Sequence, residues 1–346
     1  MLLSLAAVVV IVAGITLFSS VIGPTFLALI LTVTVQPIQD WARKRGWPGW
    51  LGMLAAFSAV MLILVALVGA LALSVAQLAS QLPVYSDQLD HARGWLAYSG
   101  VSIDQINRAL QGIDVGRAVG LLETLLGGVV DLFSNLAFVV VLLLFMAVDG
   151  MSIRERLAVV ASHRPAAVQA LANFAHGTRK YLVVSTVFGA IVAVIDGGAL
   201  WLMGVPLPVL WALLAFVTNY IPNIGFVIGV IPPALMALLD SGPMLMVWVI
   251  VVYSVINFVI QSIIQPKIVG DAVGLSVTIT FLSLVFWTWV LGGLGAILAI
   301  PLTLFVKALL LDIDPSTRWV DVLIGGPLPE KDPSQSDTDT DEKDTP

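Results

Sequence analysis

Long, unbroken apolar runs dominate the chain. Residues of about 2–20, 22–37, 50–78, 129–148, 181–203 and 244–264 are continuous stretches without strand-like alternation, and they predict membrane-spanning helices. Two further runs, Leu207–Thr218 and Phe226–Leu239, are too short to span. At ~1.5 Å per residue each reaches about 20 Å, against a hydrocarbon core of ~30 Å. Between them lies Asn219-Tyr-Ile-Pro-Asn-Ile-Gly225, a polar turn with proline and glycine. The pattern predicts a re-entrant hairpin, because a backbone turn at membrane depth persists only where protein or a water-filled path surrounds it. A tight loop at the membrane surface is the other reading. The run 275–311 has the opposite problem. As one helix it would extend about 55 Å. Gly292-Gly-Leu-Gly295 divides it and Pro301 is expected to kink its second half, which predicts a second hairpin. The lengths and parity suggest two hairpins entering from opposite sides, as in an inverted repeat around a midplane site.

The segments between the runs are of three kinds. Residues 79–128 carry acids and helical apolar spacing, such as Tyr85, Leu89, Ala92 and Leu96, and predict two or three amphipathic helices outside the membrane. They either lie on the bilayer or pack between subunits. Two segments are basic: Arg43-Lys-Arg45 with Trp41, Trp47 and Trp50, and 149–180 with Arg154, Arg156, Arg164, Arg179 and Lys180. Both fall on one side by parity, which makes that side cytoplasmic. The first two spans are expected to split at Gly23-Pro24, the second to end at Gln36-Pro37. The N-terminus lacks a basic leader and a cleavage site, so it reads as a retained span. The chain thus divides into N-terminal membrane helices (1–78), periplasmic amphipathic helices (79–128), a transport membrane region (129–311) and an acidic, disordered cytoplasmic tail (312–346).

Composition narrows the class. Of 346 residues, 59% are hydrophobic and 11% charged; soluble domains carry about 25% charged residues. The expectation is an all-α polytopic membrane protein of about eight membrane segments. There is no cysteine, which excludes disulfides and thiol chemistry. No basic footprint supports nucleic-acid binding. No catalytic spacing or phosphate loop is present, so neither an enzyme nor a cofactor is expected. His91, His163 and His176 fall outside the spans and read as solvated.

The candidate chemistry is confined to a few polar residues at depth. Asp196 is the one acid well inside a predicted span, about 24 Å along its helix from Lys180. A charge there costs ~2.5–3.5 kcal/mol to insert, so Asp196 is a candidate for proton or cation coupling; a position near the outer interface is the alternative. Asn257 and Gln261 lie one turn apart, with Gln265 continuing the row. Such amides either glue helices together or, with Asn219 and Asn223, line a path for an uncharged polyhydroxylated solute. The substrate path is therefore assigned to Asn219, Pro222, Asn223, Gly225, Asn257 and Gln261. The second hairpin or gate is assigned to Gly292, Gly293, Gly295 and Pro301.

Asn219-Tyr-Ile-Pro-Asn-Ile-Gly225, Ile231-Pro-Pro233, Gln265-Pro-Lys-Ile-Val-Gly270, Gly274-Leu-Ser276, Phe281-Leu-Ser-Leu-Val-Phe-Trp287, Leu291-Gly292 and Pro301-Leu-Thr303 with Lys307 resemble the autoinducer-2 exporter family, formerly called PerM. The resemblance is dense over about 178–312. It implies a multi-pass transporter of the bacterial inner membrane, a homo-oligomer, and an elevator-like shift. It also implies export of autoinducer-2, a small furanone or polyol signal in quorum sensing, or alternatively sodium/proton antiport. Many members have an acid where this chain has Asn219; the Asn form resembles the exporter branch.

Overall fold

The computed structural model describes residues 2–98, 136–150, 152–222, 224–265 and 274–313. They form ten helices: α1 (Leu2–Leu17), α2 (Ser19–Lys44), α3 (Gly49–Tyr98), α4 (Leu136–Asp149), α5 (Ile153–His163), α6 (Pro165–Leu202), α7 (Pro208–Thr218), α8 (Gly225–Ser241), α9 (Pro243–Asn257) and α10 (Val277–Lys307). α9 continues as a π-helix over Phe258–Ile264, and α10 as one over Ala308–Asp312. Five stretches are long and apolar enough to cross a membrane, within α2, α3, α6, α9 and α10, and α4, α7 and α8 are shorter apolar helices. The outer surface is apolar: Leu62, Val194, Trp201, Leu202 and Trp289 are all well exposed, while Asp196, Thr178 and Asn257 are buried. This inverts the distribution of a water-soluble protein. The chain is an all-α, multi-pass membrane protein.

Three expected boundaries move. α1 and α2 part at Phe18, not at Gly23-Pro24, which lies inside α2 with Gly23 packed on Leu294. α2 also runs through Pro37 to Lys44, and α3 continues past Leu78 to Tyr98. The predicted helices of 99–128 and the acidic tail from 314 lie outside the described residues.

Pro37 survives inside α2 because another helix supplies what it lacks. A proline has no N–H, so the Val33 carbonyl loses its helical partner. Arg179 of α6 donates to that carbonyl from Nη2 at 3.1 Å and Nε at 3.4 Å, and to Gln36 Oε1 at 3.0 Å. Thr32 of α2 also meets Met146 of α4 at 4.0 Å. These contacts bring the C-terminal ends of α2 and α4 and the N-terminal half of α6 to one end of the molecule, which carries both basic segments.

α6 is the central rod. It packs against α2, α5, α7, α9 and α10. The first hairpin is α7 and α8, folded at residues 219–224 and entered at the far end of α6, where Val205 N–H donates to Leu200 O. Its open end shares a core of Leu200, Val205, Leu210, Trp211, Ala237 and Val249.

The second hairpin is α10 itself. Gly292 has φ 66° and ψ −145°, a left-handed break open to glycine. Beyond it the chain folds back: Thr303 Oγ1 donates to Ser283 Oγ at 2.8 Å and accepts from Trp287 Nε1 at 3.0 Å. A straight helix would hold Ser283 and Thr303 about 30 Å apart. The open end of this hairpin packs with Ala170 and Phe174, near the start of α6, through Ala308. The two hairpins therefore open toward opposite ends of α6.

The Arg179 bonds predict a coupling between helices. Arg179→Leu should destabilise by about 1–3 kcal/mol, the cost of an unsatisfied buried acceptor. Pro37→Ala restores the N–H, so in that background the same change should cost about 1 kcal/mol less. Thermal unfolding of the four proteins checks this; additive effects refute the assignment.

Candidate functional site

The polar residues at depth form one hydrogen-bonded ladder. Asn219, at the end of α7, donates from Nδ2 to Ser185 O at 3.0 Å. Gln261 Nε2 donates to Asn219 Oδ1 at 3.2 Å and to Asn257 Oδ1 at 2.9 Å. Asn257 Nδ2 in turn donates to Asp196 Oδ2 at 3.2 Å and to Tyr253 O at 2.9 Å. The ladder thus links the tip of the first hairpin, α9 with its π-helical extension, and the middle and far part of α6. The widened turn after Asn257 brings side chains four residues apart closer to register, and π turns recur at functional sites. Gln265 takes no part in the ladder.

Asp196 is fully buried and, among the described residues, Asn257 is its one hydrogen-bond partner. Among the described residues no basic side chain pairs with the carboxyl, which makes it a candidate for function.

The ladder borders a cavity of about 190 Å³ lined by Asp196, Thr218, Asn219, Tyr253, Asn257 and Gln261, with Ala215, Phe226 and Gly229 from the hairpin arms. Most of that space is opening; the enclosed part has room for about one water molecule. The arrangement is a closed one, with the hairpin seated on α6.

Small residues make that seating possible. Ser185, Gly189, Ala193 and Gly197 recur every fourth residue along α6, the spacing that lets membrane helices approach closely. A Cβ on Gly189 would lie 3.0 Å from Asn219 Nδ2, and one on Gly197 2.7 Å from Ala212 Cβ. The hairpin tip is tied down by Tyr181 Oη donating to Tyr220 O at 2.7 Å and by a 2.7 Å bond between the Thr186 and Tyr220 hydroxyls. Inside the tip, Gly225 presses on the Thr218 carbonyl, where a Cβ would lie 1.9 Å away. The second hairpin repeats this contact: a Cβ on Gly295 would lie 1.8 Å from Trp287 O.

The structure thus brings together Asn219, Asn257, Gln261 and Asp196 of the expected site. Pro222 and Gly225 shape the turn without lining the cavity, and Asn223 lies outside the described residues. Gly292, Gly293, Gly295 and Pro301 are in the second hairpin, away from the cavity. That hairpin meets the tip of the first one through the core that receives Tyr220, Ile221 and Ile224. Tyr253 and the α6 stripe of small residues were missed by the sequence reading. Tyr253 lies four residues before Asn257, so extending the amide row one turn back would have found it.

The family model for AI-2E family transporters matches residues 5–314. YhhT of Escherichia coli strain K12 is 30% identical over 310 residues, covering 88% of each chain. The AI-2 transport protein TqsA of the same strain is 29% identical, covering 88% of this chain and 89% of its own. YrrI of Bacillus subtilis is 25% identical, covering 85% and 88% respectively.

The tip contact gives a direct test. Gly225→Ala forces a side chain onto a backbone carbonyl and should cost about 3 kcal/mol or more. Gly198→Ala, with nothing within 4 Å of the added methyl, should stabilise by about 0.5–1 kcal/mol as a helix-interior glycine. Thermal unfolding in detergent checks both; equal effects refute the tight tip.

Proposed function

This chain belongs to the AI-2E family of transporters, and from that premise we propose that it exports a small, uncharged, hydroxylated solute such as autoinducer-2 across the bacterial inner membrane. The observation that carries the reading is the buried amide ladder beneath a broken helix. Asn219, Asn257 and Gln261 offer donors and acceptors without a fixed charge, which suits a neutral solute that must also leave. A lone packing role requires fewer polar groups, since such bonds average ~0.6 kcal/mol in membranes. The transport protein named for AI-2 among the relatives supports the choice of solute.

The closed cavity holds no whole solute, so transport requires the first hairpin to leave α6. The Ser185–Gly197 stripe offers a smooth face for that motion, and the bonds to Tyr220 and Asn219 hold the closed position. Asp196 is assigned the coupling role, because an uncompensated buried carboxyl can exchange a proton or a sodium ion. This observation also favours a second reading, cation/proton antiport without a solute.

Proteoliposomes separate the two readings. Labelled autoinducer-2 and internal pH are followed together, with and without a sodium gradient. Export predicts saturable autoinducer-2 flux that falls about tenfold in Gln261→Leu, where two buried amide oxygens lose their donor. Asp196→Asn, which keeps the shape of the group, should abolish the gradient-driven component of that flux. A sodium-dependent pH change without solute flux overturns export in favour of antiport. Unchanged flux in a folded Gln261→Leu protein removes the ladder from the path.

A further inference from the structure

Three buried side-chain oxygens among the described residues have no hydrogen-bond partner: Thr178 Oγ1, Asp196 Oδ1 and Tyr253 Oη. Two of the three line the same cavity. Buried polar atoms are almost always bonded, so a pair left open at one place calls for an explanation.

Most of the rest of the cavity wall is already committed, with Asn219 keeping one amide hydrogen beyond its bond to Ser185 O. Both hydrogens of the Gln261 amide and both of the Asn257 amide are donated within the ladder. Thr218 donates its hydroxyl to Ala215 O at 3.3 Å. Phe226, Ala215 and Gly229 offer no polar side chain. A visiting group therefore meets open hydrogen-bonding capacity chiefly at Asp196 Oδ1, an acceptor when ionised, and at the Tyr253 hydroxyl, a donor. Asn257 ties Asp196 to α9 one turn beyond Tyr253, because its Nδ2 donates to the Asp196 carboxylate and to the Tyr253 backbone carbonyl. Tyr253 itself is 1% exposed, packed in the core that closes the open end of the first hairpin. Its hydroxyl is thus fixed on a rigid ring rather than carried by a mobile chain.

We propose that Asp196 Oδ1 and Tyr253 Oη form a clasp for one hydroxyl group of the transported solute. A single hydroxyl satisfies both atoms: it donates to the carboxylate and accepts from the phenol. The enclosed room, about one water molecule, is the size of that group and not of a whole solute. The body of the solute then lies toward the opening, along Asn219 and Gln261. The clasp makes Tyr253 a specificity-determining residue, since a solute lacking the hydroxyl would leave two buried polar atoms unpaired. This inference rests on the reading of the chain as a carrier of small neutral polyols.

Tyr253→Phe tests it, because the change removes one oxygen and leaves the ring to fill the core. The purified full chain is titrated with erythritol and with 1,2-dimethoxyethane, which has four carbons and no hydroxyl, and thermal unfolding is followed. The wild type should show a saturable rise in midpoint with erythritol and not with dimethoxyethane. In Tyr253→Phe the apparent Kd for erythritol should rise about tenfold, and the preference over dimethoxyethane should shrink with it. Identical titrations for the two proteins, or no selective rise in the wild type, overturn the clasp and leave the pair to a resident water. Labelled autoinducer-2 flux reports separately on the carrier reading. Binding through Tyr253 without flux keeps the clasp and removes the carrier; flux that is indifferent to Tyr253→Phe does the reverse.

Discussion

At the depth of the hydrocarbon there is no water to take up a free carbonyl or amide, so each interruption of a helix there must be completed by another part of the protein. Two tertiary contacts of this molecule answer that demand directly, and a third adds to a carbonyl already in a helix. The Val33 carbonyl, deprived of its partner by Pro37, is met by Arg179. The Tyr220 carbonyl, freed where α7 stops short, is met by Tyr181. The Ser185 carbonyl takes a second bond from Asn219. In each case a side chain of one segment completes the backbone of another, and the two segments become a unit. Breaking the helices is thus what fixes the tertiary structure, not a defect in it.

The same demand explains why the interior is rich in amides. Asn and Gln carry both donors and acceptors, so a row of them can close on itself and still present polar edges to a cavity. Asn219, Gln261 and Asn257 form such a row, Gln261 giving one amide hydrogen to each asparagine oxygen. A carboxylate cannot take part on equal terms, because it only accepts when ionised. Asp196 accordingly sits at the end of the row, with one oxygen bound and the other open. The ladder is therefore asymmetric: Gln261 meets both asparagine oxygens, while one oxygen of Asp196 is left open.

How much of this was legible depends on how local each cause is. The hairpin of 207–239 could be read from length alone, because a half-length apolar run has few other solutions in a bilayer. Gly292 could be read for a similar reason, since the run around it is too long for one helix. The amide row Asn257–Gln261 followed from helical spacing. Gly23-Pro24 and Pro37 misled, because a proline ends a helix only where nothing else meets the carbonyl it frees. For Pro37 that partner is Arg179, 142 positions along the chain, and no local pattern announces it. Tyr253 was hidden differently. An aromatic residue in an apolar span reads as core, and it is core, packed beside Val249 and Leu210; only its open hydroxyl sets it apart.

The seam between α6 and the first hairpin combines two properties that usually oppose each other. Glycines at 189 and 197 let the backbones approach until Asn219 and Ala212 nearly touch α6, which maximises contact. Yet a surface of Ser185, Gly189, Ala193 and Gly197 has no large knobs to lock a register. Dispersion along such a face changes little as one helix slides on the other, whereas hydrogen bonds are lost at once. Resistance to motion is then concentrated in a few directional bonds, those of Asn219, Tyr220 and Tyr181, and not spread over the packing. A hairpin held in this way can be released by whatever competes for those bonds. Of the residues that make those bonds, Asn219 also lines the cavity, so a group bound there meets one of the contacts that hold the hairpin down.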